Sequence, residues 1–380
     1  MKKNLWILGF AAASLMAGCS SNDDVLSSLQ GQPDADINAG NSNVEIRLAS
    51  SAGGTRSSVE STADGLFEAD GLGIFCLAKG VQGVNPAERP IVWNGYDELD
   101  FSVWMDNIET NAEFNADTTA TELNWVDGKK CFYPVANWYT YRFYGYYPRV
   151  ETIYKSESRI EATIQINGTQ DVIWGRTNNN HDDAYSAKYF RNPEHADETP
   201  GIEFEHKLMR MTFSIVPGPD AKGEYDAALT MGVKSIKVKD VPTQLNLVIA
   251  DRNDATAEGK VTFDWDNNLA DFDLLDADDA PFGEDHWVQM EETRIGQGIL
   301  LPVPDEQKDD QHYYVEIVLK DKEGNEFISE HPIELQSSKY EAGKSYNVKM
   351  TINGPKLITL NATLKPWDLD TDGTIQDVTL

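Results

Sequence analysis

The sequence predicts an all-β protein built as two β-sandwich domains in tandem. Apolar residues come in short alternating or continuous runs bounded by Gly, Pro, Asn and Asp, the period-two signature of strands. Stretches with a helical apolar period are scarce. The chain of 380 residues is long enough for two ordinary domains, and its 40% hydrophobic content supplies their cores. Many short strands punctuated by turn residues favour sandwiches over a parallel sheet, in which strands alternate with helices.

Taken in order, the strand candidates are residues 44–49, 71–78, 139–147, 159–166, 202–204, 209–216, 233–238, 244–249, 260–265, 297–301, 312–320, 326–330, 345–352 and 358–364. The run Pro217-Gly218-Pro219-Asp220 interrupts them. Proline cannot continue a central ladder and glycine weakens one, so this run marks the expected boundary between domains at 44–216 and 221–380. Residues 178–199 and the acidic stretch 266–285 read as exposed loops. No fixed-period repeat appears, which argues against solenoids and propellers.

Charge narrows the partners. The chain carries 32 Lys+Arg against 63 Asp+Glu, a net charge of −31. Nucleic-acid binding rests on neutralising phosphates, so this balance excludes it as a general partner. It also opposes adsorption to anionic lipid.

The N-terminus reads as an address. Lys2 and Lys3 precede an apolar run over residues 5–17 that is too short to span a bilayer, so residues 1–18 read as a signal peptide. The run ends Leu15-Met16-Ala17-Gly18-Cys19, which resembles the lipobox of bacterial lipoproteins, with Met16 where Leu is commoner. Cys19 is then the expected lipidation site, and that covalent lipid is the one non-protein group expected; no other cofactor is. Ser20-Ser21-Asn22-Asp23-Asp24 resembles the signal that sends such lipoproteins to the cell surface. Residues 19–43 lack an apolar period and read as a disordered tether. The remaining cysteines, Cys76 and Cys131, each sit in a strand-like run. They are either a disulfide pair, as export allows, or two small buried hydrophobes.

Several segments match one family in order. They are Val44-Glu45-Ile46-Arg47-Leu48-Ala49, then Thr55-Arg56, then Asp70-Gly71-Leu72-Gly73-Ile74-Phe75 and Tyr133-Pro134. Next come the aromatic strand Tyr141-Arg142-Phe143-Tyr144-Gly145-Tyr146-Tyr147-Pro148 and the Phe-x-His run Phe204-Glu205-His206. Tyr340-Glu341-Ala342-Gly343-Lys344 and Leu360-Asn361-Ala362-Thr363-Leu364-Lys365-Pro366-Trp367 follow. In this order, and behind a lipoprotein signal, the chain resembles the fimbrillins of the Bacteroidetes, the FimA-like and Mfa-like pilus subunits.

The resemblance implies two transthyretin-like β-sandwiches, and a structural role rather than an enzymatic one. It implies export as an outer-membrane lipoprotein and cutting by an Arg-specific surface protease after an Arg that follows the first strand. It further implies polymerisation with other copies or related subunits, as a neighbour's strand fills the vacated groove. Here the removable strand is 44–49, whose Val44, Ile46 and Leu48 share one apolar face. Arg56-Ser57 is the expected cleavage site, in a small-residue stretch suited to proteolysis. Arg47 competes, but from inside the strand. The candidate donor is the terminal tail, 368–380, with Ile375, Val378 and Leu380 as its apolar residues; only the last two share a face.

Other chemistry has little support in the sequence. Asp368, Asp370, Asp372 and Gly373 begin like a calcium loop, but Thr379 stands where a bidentate Glu belongs, so a solvated acidic turn is the expectation and no metal site is assigned. There is no Gly-x-Ser-x-Gly elbow and no His-Glu-x-x-His. His206, between Phe204 and Leu208, reads as a buried structural histidine. The aromatic cluster Trp125, Trp138, Tyr139, Tyr141, Phe143, Tyr144, Tyr146 and Tyr147 reads chiefly as core. Rings facing outward would instead suit the rival reading, a surface-anchored lipoprotein that binds glycans or host ligands without polymerising.

Overall fold

Strand periodicity organises almost every described element. The computed structural model describes residues 44–51, 69–81, 103–114, 121–134, 139–156, 158–177, 185–220, 222–276, 281–282, 285–304, 312–333, 339–355 and 357–365. The strands are β1 (Leu48–Ser51), β2 (Ala69–Val81), β3 (Val103–Phe114), β4 (Thr121–Trp125), β5 (Tyr139–Tyr147), β6 (Ile153–Lys155), β7 (Arg159–Gln165), β8 (Ile173–Thr177), β9 (Gly201–His206) and β10 (Met209–Pro217). They continue as β11 (Met231–Pro242), β12 (Gln244–Asp251), β13 (Val261–Phe263), β14 (Leu269–Asp273), β15 (His286–Trp287), β16 (Thr293–Leu301), β17 (Tyr313–Asp321), β18 (Glu326–Ile333), β19 (Ser345–Gly354) and β20 (Leu357–Lys365). Two single-turn helices, α1 (Ala187–Phe190) and α2 (Asp226–Leu229), interrupt them. The fold is all-β, with β-sandwich domains in tandem, as the sequence predicts.

In the first domain one sheet closes on itself, in the order β1-β4-β3-β2-β5-β8-β9 and back to β1. Its interior is packed by Leu72, Ile74, Cys76, Met105, Tyr141, Phe143, Ile202 and Phe204 among others. The outward residues of β2 and β5 are apolar as well: Phe75, Leu77, Tyr144 and Tyr146 belong to the second, larger core. The sheet β13-β12-β7-β6 contributes to that same core. In the second domain the sheet β16-β10-β19-β20 shares a core with β14-β11-β17-β18, and β15 pairs with β11.

The expected boundary needs correction. Pro217 does end β10, but β10 lies between β16 and β19, antiparallel to the first and parallel to the second. It is a strand of the second domain, not the last of the first. The crossing falls at Lys207-Leu208, between the end of β9 and the start of β10. In addition, β7 pairs along its length with β12, so a hairpin of the first half shares a sheet with the second. A breaker in the sequence marks where a strand stops; which sheet the strand joins is decided by distant partners.

The junction is locked by polar groups as well as by core. Glu258, in the turn after β12, has a side chain only 1% exposed. Its Oε1 accepts from the Tyr144 hydroxyl at 2.9 Å, and the guanidinium groups of Arg142 and Arg176 face its other oxygen. Burial, and then the Glu258 charge, push the Tyr144 hydroxyl well above its ordinary pKa. Trp174 Nε1 donates to Ile249 O at 3.0 Å. Gly259 follows at φ +73°, and a Cβ there would lie 2.4 Å from the Trp174 ring, so only glycine fits. Removing one member of a buried charge cluster strands the others. Glu258→Ala is therefore expected to cost about 3–5 kcal/mol in chemical denaturation, and raising the salt concentration is expected to leave that cost nearly unchanged.

Candidate functional site: the strand slot of the barrel

A ring of alternating strands closes without conflict only if the number of strands is even. This ring has seven, so one neighbouring pair must run parallel. That pair is β1 with β9, through Ala49–Gly201, Ser50–Ile202 and Ser51–Glu203. On its other side β1 runs antiparallel to β4, through Leu48–Leu123, Ala49–Glu122 and Ser50–Thr121. Parallel ladders are slightly weaker per residue. The forced weak seam thus falls on the shortest strand of the ring, at its N-terminal end.

Residues 44–47 extend β1 without continuous pairing. Ile46 N donates to Cys131 O at 2.7 Å, and Tyr133 N donates to Val44 O at 3.0 Å. Ala49 N donates to Pro200 O at 2.9 Å on the opposite side. The Trp125 indole donates to Ile46 O at 3.1 Å. Ile46 is 0% and Leu48 3% exposed, and half-buried Val44 packs against the same core. Arg47 points out, its Nη2 donating to Ala196 O at 3.2 Å, and Lys130 meets Glu45 at 3.3 Å. The expected apolar face of Val44, Ile46 and Leu48 is therefore the face turned inward, and it seals the barrel.

Residues 185–200 cover the N-terminal end of the slot. The sequence here reads as an exposed polar loop, residues 178–199, but Tyr185 and Phe190 turn inward. Phe190 stacks on Tyr133 with ring centroids 5.3 Å apart and on Tyr185 at 5.8 Å. Ser186 caps α1 by accepting from Tyr189 N. The Tyr189 hydroxyl donates to Glu198 at 2.6 Å, and burial together with that carboxylate raises its pKa. A cleft of about 310 Å³ lies here, lined by Val44, Glu45, Arg47, Tyr133, Phe190 and Glu198 among others. The signal for this cover was the aromatic spacing Tyr185, Tyr189, Phe190 inside an otherwise polar run.

The remaining candidates separate cleanly. Cys19, Arg56, Ser57, Ile375, Val378 and Leu380 lie outside the described residues, as do Asp368, Asp370 and Asp372. Cys76 is a buried free thiol, so it is not paired with Cys131. Burial raises its pKa well above the ordinary thiol value. His206 is 4% exposed and bonded through Nδ1 to Asp171 at 2.6 Å, the buried structural histidine expected. Tyr141, Phe143, Tyr144 and Tyr146 are all 0% exposed, so those rings cannot stack on a sugar. Among the described residues no group of His, Cys, Asp and Glu is placed to hold a metal ion.

Fold and slot together define a tandem β-sandwich protein in which the first described strand closes a seven-stranded barrel. The family model described as fimbrillin-like matches residues 55–367, and the chain belongs to that family. Membership supports a role as a fimbrial subunit, hence a surface location and a non-enzymatic part. Among solved structures, the chain is similar to a candidate cell adhesion protein from Bacteroides uniformis, with 15% identity and a TM-score of 0.46, over 86% of this chain and 98% of that one. It is also similar to the tip fimbrial protein Mfa3 from Porphyromonas gingivalis, at 8% identity and TM-score 0.39, over 85% and 100% of the two chains. The fimbrial anchor protein Mfa2 of the same organism matches at 10% identity and TM-score 0.32, over 85% and 97%. No curated protein matches.

Two measurements check the plug. Leu48→Ala is expected to destabilise the protein by about 2–5 kcal/mol in chemical denaturation, while Arg47→Ala stays within about 0.5 kcal/mol. Cys76 shares the sealed interior with Ile46 and Leu48. In the native intact chain it is expected to resist iodoacetamide, as read by mass spectrometry of the peptide that contains it, and to become reactive once residues 44–51 are displaced.

Proposed function

We propose that this chain is a structural subunit of a surface fimbria, exported as a lipoprotein on Cys19 and polymerised by donor-strand exchange after cleavage between Arg56 and Ser57. The observation that carries the reading is the position of residues 44–51. They form a ring member held on both sides, with Ile46 and Leu48 as its inward side chains. Arg56 follows the end of β1 by five residues, so a cut there detaches the strand, and the lipid with it, from everything after residue 56.

Loss of that strand opens two edges at once. The facing N–H and C=O groups of β4 and β9 lose their partners, and the floor once covered by Ile46 and Leu48 meets water. Re-exposing two such side chains costs about 3–6 kcal/mol. An extended segment from another subunit restores both terms, with ladder hydrogen bonds for affinity and alternate side chains for register. Donor and slot are different surfaces, so the contact is head-to-tail and generates an open filament rather than a closed dimer. The tail with Ile375, Val378 and Leu380 is the proposed donor. Arg47 is a poor site for the protease, because the amides of Ile46 and Ala49 on either side are engaged. The burial of the aromatic strand favours this reading over a glycan-binding module.

Digestion of the purified precursor with an Arg-specific protease tests it. The expected result is one new N-terminus at Ser57, followed by ladders of oligomers on a gel, both abolished in Arg56→Ala. Cleavage elsewhere, or a clean cut that yields only stable monomer, contradicts the proposal.

A further inference from the structure

The inward face of the plug has a fourth position, and it is filled badly. Alternation places Ser50 on the same side as Ile46 and Leu48, and Ser50 is 1% exposed. Its Cα partners are Thr121 on β4 and Ile202 on β9, both fully buried. The Ser50 hydroxyl has no hydrogen-bond partner among the described residues. A buried hydroxyl that gives up water and gains nothing opposes burial, whereas an aliphatic group in the same space favours it. The slot is therefore complementary to three consecutive apolar side chains at the positions of residues 46, 48 and 50, and the resident strand supplies only two.

We propose that residues 44–51 are a deliberately second-rate occupant. On this view the slot is matched to an extended segment of another subunit that carries aliphatic residues at three alternate positions, and the mismatch at Ser50 favours such a strand over the resident one and over this chain's own tail, which sets only Val378 and Leu380 on one face. The inference rests on the strand-exchange reading above. It adds the chemistry of the incoming strand and the reason for its advantage. Ser50 lies over the forced parallel seam with β9, so the weakest ladder and the poorest side-chain fit coincide. The resident strand holds the subunit folded and unpolymerised, and it loses to any competitor that leaves no polar atom stranded there.

The test compares the full-length chain with its Ser50→Ala and Ser50→Val variants. Hydrogen exchange of the Ile46 and Ala49 amides, which donate to Cys131 O and Pro200 O, reports local release of the plug. Ser50→Ala is expected to slow both by about tenfold. Ser50→Val is expected to slow them too. Unchanged or faster exchange in Ser50→Ala overturns the inference. A second arm adds synthetic peptides of sequence 44–51, with Ser or Ala at the position of residue 50, to the protein cut by the Arg-specific protease. The Ala peptide is expected to bind about tenfold more tightly. Equal binding of the two peptides overturns the inference and leaves strand exchange standing. Slowed exchange in Ser50→Ala with neither peptide taken up supports the mismatch and overturns the exchange reading instead.

Discussion

Parity is the constraint on which the first domain depends. Seven strands cannot alternate around a ring, so one pair must be parallel, and the structure assigns that pair to β1 and β9. Because β4 and β9 run in opposite directions, any strand in the slot is parallel to one of them, whichever way it enters. No occupant escapes the weaker ladder. What distinguishes one occupant from another is therefore its side chains. This places the emphasis on Ile46, Leu48 and Ser50, which meet the barrel interior, and away from Glu45 and Arg47, which meet solvent and the cover loop.

The strands around β1 are held from outside the barrel. The outer faces of β2 and β5 are pinned to the sheet containing β7 and β12 through Phe75, Leu77, Tyr144 and Tyr146. Glu258 ties β5 and β8 to the turn after β12. Gly175 lets β8 approach β9 closely, for a Cβ there would meet Glu203 O at 2.2 Å. Strands β2, β5, β8 and β9 thus keep their places by contacts that do not involve β1. The head-to-tail polymer proposed above needs such a rigid body, since the angle between successive subunits would be set by how firmly the slot is held relative to the second domain.

Much of the fold was legible in the sequence because alternation is a local signal. Residues 209–216 and 345–352 show it clearly, and both are strands with buried inward faces. The plug was legible for the same reason, from Val44, Ile46 and Leu48. Six strands are absent from the expected set, β3, β4, β6, β8, β14 and β15, and three of them show why. β3 is rich in Asp, Asn, Glu and Thr, and Asn107 takes a positive φ of 55° that breaks its register. β8 is buried on both faces and too short to show a period. β14 hides within an acidic run, its single buried anchor being Phe272. The domain crossing was misplaced because pairing of β10 with β19 spans more than a hundred residues and leaves no local trace. Ser50 was overlooked because a serine after an apolar strand reads as its end; only the ladder shows that the strand continues through it.

Covalent locking of the plug tests the central claim most directly. Ala49 and Glu122 are Cα partners across β1 and β4, on the face away from the core, at a separation suited to a disulfide. In the Ala49→Cys, Glu122→Cys double variant the Arg-specific protease should still cut, yet the strand should stay in the slot and no filament should form until reductant is added. Filaments that assemble equally well with the disulfide intact would show that residues 44–51 need not leave, and the strand-exchange mechanism would be wrong.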